Sequence, residues 1–324
     1  MLINLLLFAV GLTLVVFSAN WLVDGASSLA RRLRIPEIVI GLTIVALGTS
    51  APEMVVSVIS SLNGQSDVAI GNVIGSNIFN ILGILGICAI IYPLTIQKNT
   101  IWKEIPLSLL AAIIALVVAY DLLFDTNGSN VITRGDGIVL LSFFAIYLYY
   151  TFGVAQSTDM TGIKQAETQK NYAPWLGTIM VVGGIAGLAF GGKITVENAV
   201  LMARSLGVSD SVIGLTLVAI GTSLPELATS VVATLKRNSD IALGNVVGSN
   251  IFNIFFILGI SSTINPLAPG GITVMDFLVC ISASVILFIS CFILRPMTIY
   301  RVEGWTMLLL YVGYTAWLLG FGGS

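Results

Sequence analysis

A stretch of forty residues occurs twice in the chain, and this duplication constrains the fold more than any other feature. Residues 41–80 read GLTIVALGTSAPEMVVSVISSLNGQSDVAIGNVIGSNIFN, and residues 214–253 read GLTLVAIGTSLPELATSVVATLKRNSDIALGNVVGSNIFN. The copies align without a gap, and 25 of the 40 positions are identical. The chain is therefore an internal duplication, and the duplicated part holds polar residues in an otherwise apolar protein. Polar groups inside a membrane are costly, so a matched pair of such clusters indicates function.

Composition makes this chain a multi-spanning membrane protein. It is 56% hydrophobic and 9% charged, whereas a soluble domain carries about 25% charged residues. The net charge of −2 and the absence of a basic stripe argue against a nucleic-acid partner. There is no His, which excludes histidine general-base catalysis and His-based zinc sites. The widely spaced Cys88, Cys280 and Cys291 are interpreted as packing residues, and we expect no cofactor.

Ten apolar segments are long enough to cross a bilayer, which takes about 20 residues. They are residues 2–28, 37–62, 67–92, 102–121, 131–153, 174–203, 210–235, 240–265, 273–294 and 302–321. We expect all ten to be helical, because an open strand edge cannot face lipid. The N-terminus is apolar from Met1 without a basic region or cleavage site, so it is predicted to be a first span rather than a signal peptide. A polar linker, 154–173, separates a first half, 1–153, from a second half, 174–324.

The basic residues of the loops predict the orientation of the spans. Eleven follow odd-numbered spans: Arg31, Arg32, Arg34, Lys98, Lys103, Lys164, Lys170, Lys236, Arg237, Arg295 and Arg301. The opposite side has only Arg134 and Arg204. Since Lys and Arg concentrate in cytoplasmic loops, both termini are expected outside the cell and the linker inside. Five spans per half is an odd number, so the second half is expected to be inverted relative to the first, a build found in secondary transporters. We expect the chain in the plasma (inner) membrane, with the lipid bilayer as its surroundings.

Spans 2 and 7 each carry one carboxylate on an oxygen-rich helix face. Around Glu53 this face comprises Ala46, Thr49, Ser50 and Ser57, and around Glu226 it comprises Ala219, Thr222, Ser223 and Ser230. Pro52 and Pro225 stand next to the carboxylates. A proline inside a helix removes one hydrogen bond and clashes with the carbonyl four residues back. We therefore predict broken helices with free carbonyls at membrane depth, which is tolerated only where backbone lines a cavity or meets an ion.

Spans 3 and 8 carry GNVIGSNIFN and GNVVGSNIFN. In these segments Ser76 lies one helical turn before Asn80, and Ser249 one turn before Asn253. The pairs Gly71/Gly75 and Gly244/Gly248 form GxxxG faces that permit close backbone approach to a neighbour. The four central helices can therefore direct hydroxyls, amides and carboxylates to one point.

The chemistry of these side chains is that of a hard-cation site. Every candidate ligand is an oxygen, and Ca²⁺ takes about 6–8 oxygens in flexible geometry. Two ionised carboxylates about 4 Å apart repel by roughly 4 kcal/mol at an effective dielectric near 20, so they require a cation or protons between them. Transition metals are disfavoured without Cys or His ligands.

The motifs GTSAPE and GTSLPE, each followed by GNV(I/V)GSN, resemble the alpha repeats of the cation/Ca²⁺ exchanger superfamily, specifically prokaryotic sodium/calcium exchangers. The resemblance covers both halves of the chain. It implies an all-α membrane protein of ten helices in two inverted five-helix repeats. It also implies four ion sites at the midplane and alternating access by sliding of spans 1 and 6. The ion ligands that it implies are Glu53, Glu226, Ala46, Thr49, Ser50, Ala219, Thr222, Ser223, Ser76, Asn80, Ser249 and Asn253. Some members have Asp where this chain has Asn253, so the two Asn residues argue against potassium dependence.

Some of these residues also have structural interpretations. A lone Glu53 or Glu226 could be a neutral buried carboxyl, but two in register beside prolines favour an ion site. Asp24 and Glu197, also in register, are predicted to sit at the membrane interface, with Lys193 as a partner for Glu197. Asp67 and Asp240 are predicted to cap the helices that they precede.

Four functions are consistent with buried carboxylates in a membrane. The leading one is an antiporter that exchanges Ca²⁺ for Na⁺, and the alternative is a Ca²⁺/H⁺ antiporter using the same carboxylates. A channel is a third, disfavoured by an inverted repeat with a closed polar centre. An intramembrane enzyme is the fourth. It would need an activated water at the carboxyl pair, and a cage of hydroxyls and carbonyls suits ion dehydration better, so we expect no enzyme.

Overall fold

The computed structural model describes residues 2–123, 129–157, 172–205 and 219–321. In the first half the helices are α1 (Leu2–Leu33), α2 (Glu37–Thr49), α3 (Ala51–Leu62), α4 (Ser66–Ile91), α5 (Thr100–Ala119) and α6 (Arg134–Ser157). In the second half they are α7 (Pro174–Ser205), α8 (Ala219–Thr222), α9 (Leu224–Leu235), α10 (Ser239–Ile264), α11 (Val274–Ser290) and α12 (Arg301–Phe321). Two short strands, β1 (Leu94–Thr95) and β2 (Thr298–Ile299), pair antiparallel.

The structure confirms a membrane protein built from apolar helices. Within the described ranges, six helices are long and apolar enough to cross a bilayer, and the bent pair α2–α3 adds a seventh. Their outer faces carry large exposed apolar side chains, such as Phe190, Ile146 and Ile3. Exposed apolar surface on this scale is stable only against lipid.

Most of the predicted spans differ from the helices only at their ends. Helix α1 continues to Leu33 rather than ending at residue 28, and α11 ends at Ser290 rather than at 294. Helix α6 continues to Ser157, so the predicted linker begins inside a helix. The start of the seventh predicted span, 210–218, and the linker residues 158–171 lie outside the described residues.

Span 2 is broken, as the proline predicts. Helices α2 and α3 meet at Ser50 with a bend of 48°. Pro52 lies in the first turn of α3, where its missing N–H costs nothing because the first N–H groups of a helix have no intrahelical partner. The proline thus starts a new helix instead of kinking a continuous one. The break turns the N-terminus of α3 towards the middle of the protein.

Helices α1 and α7 pack against each other along a seam of small residues. A side chain on Gly11 would lie 2.9 Å from the Thr195 nitrogen, and one on Gly25 would lie 2.9 Å from the Gly177 carbonyl oxygen. These contacts run in opposite directions along the two helices, so the pair is antiparallel. Only glycine permits backbones to approach this closely. Their buried side chains belong to the smaller of two core clusters, which also includes residues of α2, α9 and α10.

Helices α4 and α10 are the most enclosed of the long helices. Gly244 and Gly248 lie on α10 against α2: a side chain on Gly244 would be 2.9 Å from the Ile38 oxygen, and one on Gly248 would be 2.8 Å from the Leu42 oxygen. The predicted close approach is confirmed for this pair. The neighbour that the duplication pairs with the other GxxxG face falls in 206–218, outside the described residues. Both helices widen into π-helical turns, at Phe79–Leu85 and Phe252–Leu258, which include Asn80 and Asn253. Such turns occur often at functional sites.

Candidate functional site: a buried oxygen cluster shared by two repeats

The two glutamates lie in the first turns of helices that begin inside the protein. Glu53 follows the break at Ser50 and Glu226 follows the equivalent break at Ser223. Each glutamate is 1% exposed. The partial positive charge of a helix N-terminus favours a negative group in its first turn. The breaks therefore place both carboxyl groups where the backbone supports their charge.

Glu53 is bonded by a serine of the other repeat. The Ser223 hydroxyl lies 2.9 Å from Glu53 Oε1 and 3.0 Å from the Ser76 hydroxyl. All three side chains are buried. Helices α3, α4 and the α8–α9 break thus meet at one carboxylate.

The same arrangement recurs around Glu226 with the repeats exchanged. The Ser50 hydroxyl lies 2.9 Å from Glu226 Oε1 and 3.0 Å from the Ser249 hydroxyl. Ser249 also lies 3.4 Å from the same carboxylate oxygen. Each glutamate is therefore positioned by the serine from the break in the opposite half.

Thr49 is bonded through an asparagine that sequence reasoning did not select. The Thr49 hydroxyl donates to Asn245 Oδ1 at 2.9 Å. The Asn245 amide donates to the Glu226 carbonyl at 3.3 Å and to the Ser230 hydroxyl at 2.9 Å. The Ala46 carbonyl, predicted as a ligand, accepts the Ser50 N–H at 3.0 Å within the helix. Asn245 thus joins the broken helix of one repeat to that of the other.

Asn72 has the equivalent position around Thr222. Its amide donates to the Glu53 carbonyl at 3.2 Å and to Ser57 at 2.9 Å, and its Oδ1 lies 3.4 Å from the Thr222 hydroxyl. The signal for Asn72 and Asn245 was present in the sequence, since both are identical in the two copies. Ala219 begins the short helix α8, in register with Ala46.

Asn80 and Asn253 are bonded across the two repeats through their amide nitrogens. Asn80 Nδ2 donates to Asn250 Oδ1 and Asn253 Nδ2 donates to Asn77 Oδ1, each at 3.0 Å. Both side chains are 1% exposed. The structure therefore brings the second polar pair of the duplication into the same interior as the glutamates.

Four oxygens of this cluster accept no hydrogen bond from the described residues: Glu53 Oε2, Glu226 Oε2, Asn80 Oδ1 and Asn253 Oδ1. A buried acceptor without a donor is costly. Here the acceptors form two equivalent pairs, one from each repeat. Carboxylate and amide oxygens are ligands that Ca²⁺ and other hard cations take. These four oxygens are therefore candidate ligands for a hard cation.

The acidic residues at the ends of α1 and α7 lie outside this cluster. Asp24 binds the Lys236 ammonium at 2.7 Å, and both side chains are partly exposed. The predicted pair of Lys193 and Glu197 is confirmed at 3.8 Å, with both side chains mostly exposed.

The prediction that Asp67 and Asp240 cap their helices is wrong. The N-cap positions are occupied by Gln65 and Asn238, and each aspartate lies in the first turn. The Asn238 side chain accepts the Ile241 N–H, which leaves Asp240 to accept from Gln97 at 2.6 Å. An acidic residue still suits this place, because it faces the positive end of the helix.

The chain is similar to known proteins over nearly its whole length. The sodium/calcium exchanger protein family model matches residues 3–153 and 176–320. The inner membrane protein YrbG of Escherichia coli is 36% identical, over 98% of this chain and 96% of that protein. The sodium/calcium exchanger MaX1 of Methanosarcina acetivorans is 32% identical, over 96% of this chain and 97% of that protein.

Among solved structures, the fold is similar to that of the sodium-calcium exchanger NCX_Mj. The TM-score is 0.83 at 34% identity, and the match covers 98% of this chain and 99% of that chain. The likeness therefore extends over both halves and includes all four central helices.

Proposed function

Because the chain belongs to the sodium/calcium exchanger protein family, we propose that it is a secondary active antiporter that exchanges Ca²⁺ for Na⁺ by alternating access. The observation that carries the proposal is the set of four buried acceptor oxygens, two from each repeat, that receive no hydrogen bond from the described residues. Two carboxylates supply the negative charge that a divalent ion requires in a low dielectric. The ions are substrates and move through the centre in turn.

The proposed ligands come from both repeats in equal number. They are Glu53, Glu226, Thr49, Thr222, Ser50, Ser223, Ala46, Ala219, Ser76, Ser249, Asn80 and Asn253. The hydroxyls that bond the glutamates, such as Ser50 and Ser223, are also acceptors. When a cation enters, a hydroxyl can turn its proton away and coordinate the ion with a lone pair.

Ten spans in two inverted five-helix repeats are part of this proposal. The helix bounds support it: α4 and α10, like α3 and α9, begin and end at equivalent positions of the two copies. Inversion places the two halves on opposite sides of a common centre. Both termini would then lie outside the cytoplasm, in agreement with the distribution of Lys and Arg.

The antiparallel pair α1–α7 is the element that we propose to move. It packs on itself through glycines, and its buried side chains share the smaller core cluster with residues of α2, α9 and α10. A pair held together in this way can slide as one body past the four central helices. Alternating access needs such a moving body and a fixed site, and we assign these roles to the α1–α7 pair and to the oxygen cluster.

Sodium is preferred over the proton as the counter-ion. A proton exchanger needs only carboxylates, whereas this cluster adds neutral hydroxyls around each one. Neutral oxygens replace the hydration shell of a monovalent metal ion. The amides of Asn80 and Asn253 add acceptors without a titratable group.

The test is Ca²⁺ uptake into proteoliposomes with pH clamped on both sides by buffer and ionophore. An outward Na⁺ gradient alone is expected to drive ⁴⁵Ca uptake. If more than two Na⁺ move per Ca²⁺, an imposed voltage changes the rate. Uptake that ignores Na⁺ and follows a pH gradient would instead assign Ca²⁺/H⁺ exchange. Ion flow without a counter-ion would indicate a channel.

A further inference from the structure

Two asparagines of the centre, Asn77 and Asn250, are absent from the proposed ligand set, yet they bond directly across the two repeats. Asn77 Nδ2 donates to the Asn250 carbonyl oxygen at 3.1 Å, and Asn250 Nδ2 donates to the Asn77 carbonyl oxygen at 3.3 Å. Both side chains are 1% exposed. The two residues are equivalent positions of the duplication, so the bonds form a reciprocal pair between α4 and α10.

This pair fixes which way each of its side-chain amides is turned. A backbone carbonyl oxygen can only accept a hydrogen bond. Asn77 and Asn250 must therefore present their NH₂ groups to the two carbonyls. The Oδ1 atom of each then points away from the carbonyl that its NH₂ group binds. The oxygen and nitrogen of an asparagine amide are often hard to tell apart, but here the backbone carbonyls determine which is which.

The orientation passes from this pair to the proposed ligands. Asn250 Oδ1 lies 3.0 Å from Asn80 Nδ2, and Asn77 Oδ1 lies 3.0 Å from Asn253 Nδ2. Because the Oδ1 atoms can only accept, Asn80 and Asn253 must turn their NH₂ groups towards the pair. Their own Oδ1 atoms then face the other way, and these are two of the four acceptors that receive no hydrogen bond from the part of the chain that the structure describes.

We propose that Asn77 and Asn250 are positioning residues that hold Asn253 and Asn80 with their carbonyl oxygens presented to the ion. The inference rests on the proposed function and deepens it. A half-turn of the Asn80 or Asn253 amide would present NH₂ to a cation and set oxygen against oxygen at the pair. Both changes are unfavourable, so the pair keeps donors out of the ion centre.

The same geometry explains why this chain suits an amide, rather than a carboxylate, at positions 80 and 253. An ionised carboxylate there would face the Oδ1 of Asn250 or Asn77 at about the present 3.0 Å, with no hydrogen between them. Two acceptors at this distance repel. The orienting pair and the two amide ligands thus form one consistent set.

The first arm of the test measures equilibrium ⁴⁵Ca binding to the purified protein in detergent at fixed pH and low Na⁺. Asn77→Leu and Asn250→Leu keep the branching at Cγ but remove every side-chain hydrogen bond. Each is expected to weaken Ca²⁺ binding about tenfold, the scale of losing an oriented dipole on a charged ligand. Asn198→Leu is the matched control, since Asn198 is also buried and, among the described residues, donates to the Ile194 carbonyl of its own helix. It is expected to bind Ca²⁺ as the wild type does.

The second arm separates positioning from packing with a double-mutant cycle. If Asn77 acts through the Asn253 amide, Asn77→Leu should not weaken Ca²⁺ binding any further in an Asn253→Ala background. In an Asn80→Ala background the same substitution should still weaken Ca²⁺ binding about tenfold. Should the Leu variant fail to remain monodisperse, Asn77→Ala makes the same comparison. Wild-type binding by Asn77→Leu, or an equal loss in both backgrounds, would overturn the positioning role.

Binding is measured without transport, so this experiment is independent of the exchange assay. A wild-type protein that binds Ca²⁺ but fails to take it up against Na⁺ would contradict the proposed function alone. A wild-type protein that exchanges Ca²⁺ while the cycle shows no coupling would contradict the positioning role alone. A wild-type protein that binds no Ca²⁺ contradicts both.

Discussion

The two repeats are alike at the centre of the protein and unlike at the ends of α1 and α7. At the centre, each serine of a helix break lies 2.9 Å from the glutamate of the other repeat. At the ends, Asp24 of α1 binds Lys236 of the α9–α10 loop at 2.7 Å. The equivalent Glu197 of α7 pairs at 3.8 Å with Lys193 of its own helix, and both side chains are mostly exposed.

The contacts at the two ends differ because the two copies carry different residues there. Asn238 of the α9–α10 loop donates to Ser27 of α1 at 2.9 Å. The second copy has Val200 where the first has Ser27, and the first copy has Gln65 where the second has Asn238. Because valine has no hydroxyl, the equivalent bond cannot form between α7 and the α3–α4 loop. The residues that we assign to the ions are the same in both copies, whereas the ends of α1 and α7, which the proposed inversion places on opposite faces of the membrane, have diverged.

The largest expected effect comes from removing one charge at the symmetric centre. Glu53→Gln and Glu226→Gln should each abolish Ca²⁺ exchange, because a divalent ion in a low dielectric needs both carboxylates. The amide keeps the shape, so the variants should remain folded. Glu197→Gln, an exposed carboxylate in the diverged region, should exchange normally. ⁴⁵Ca uptake into vesicles measures all three, and a normal rate in either centre variant would refute the assignment.

Cysteine labelling tests whether the two loops lie on opposite faces. Gly64 and Arg237 are exposed, equivalent positions of the α3–α4 and α9–α10 loops, and both have positive φ, 74° and 58°. Gly64→Cys should react with an impermeant reagent from outside and Arg237→Cys only from the cytoplasm. The three native cysteines are buried and should give little background. Labelling of both positions from one side would end the inverted-repeat interpretation.

Replacing either of the two serines that bond the glutamates should have a smaller effect, and the effect should be the same for both. Ser50→Ala and Ser223→Ala each remove a hydroxyl 2.9 Å from a carboxylate. Hydrogen bonds to charged groups contribute about 1.5–3 kcal/mol, so each variant should lose at least about tenfold in Ca²⁺ affinity. Equal losses support a symmetric centre. A loss confined to one serine would show that the repeats differ there in function.

The smallest expected effect is on thermal stability, and it should differ between the ends of α1 and α7. Lys236→Met removes the bond to Asp24 and one to the Asn20 carbonyl at 3.2 Å. A partly exposed ion pair is worth up to about 1 kcal/mol, so the melting temperature should fall by about 2 °C. Lys193→Met breaks an exposed ion pair and should leave the melting temperature unchanged within error. Equal shifts in the two variants would show that the α1 contact adds no stability.

The sequence was sufficient to predict the helices, the break at the proline and the family, because each is written in local patterns or in the repeat. It was insufficient for the crossed bonds from Ser50 and Ser223 and for the roles of Asn72 and Asn245. Helical periodicity shows which residues share a face, but it does not show which face of another helix lies opposite. For the same reason, helical periodicity does not predict contacts between α1 and a loop more than 200 residues away. The contact of Lys236 with Asp24 is an example.

If the chain is an antiporter with a single set of ion ligands, Ca²⁺ and Na⁺ compete for one centre held by Glu53 and Glu226. Equilibrium ⁴⁵Ca binding to the purified wild-type protein, titrated with Na⁺ at fixed pH and constant ionic strength, tests it most directly. We expect complete and cooperative displacement of Ca²⁺ by Na⁺, with choline as an inert control ion. Ca²⁺ binding that is indifferent to Na⁺ but released by protons would contradict it.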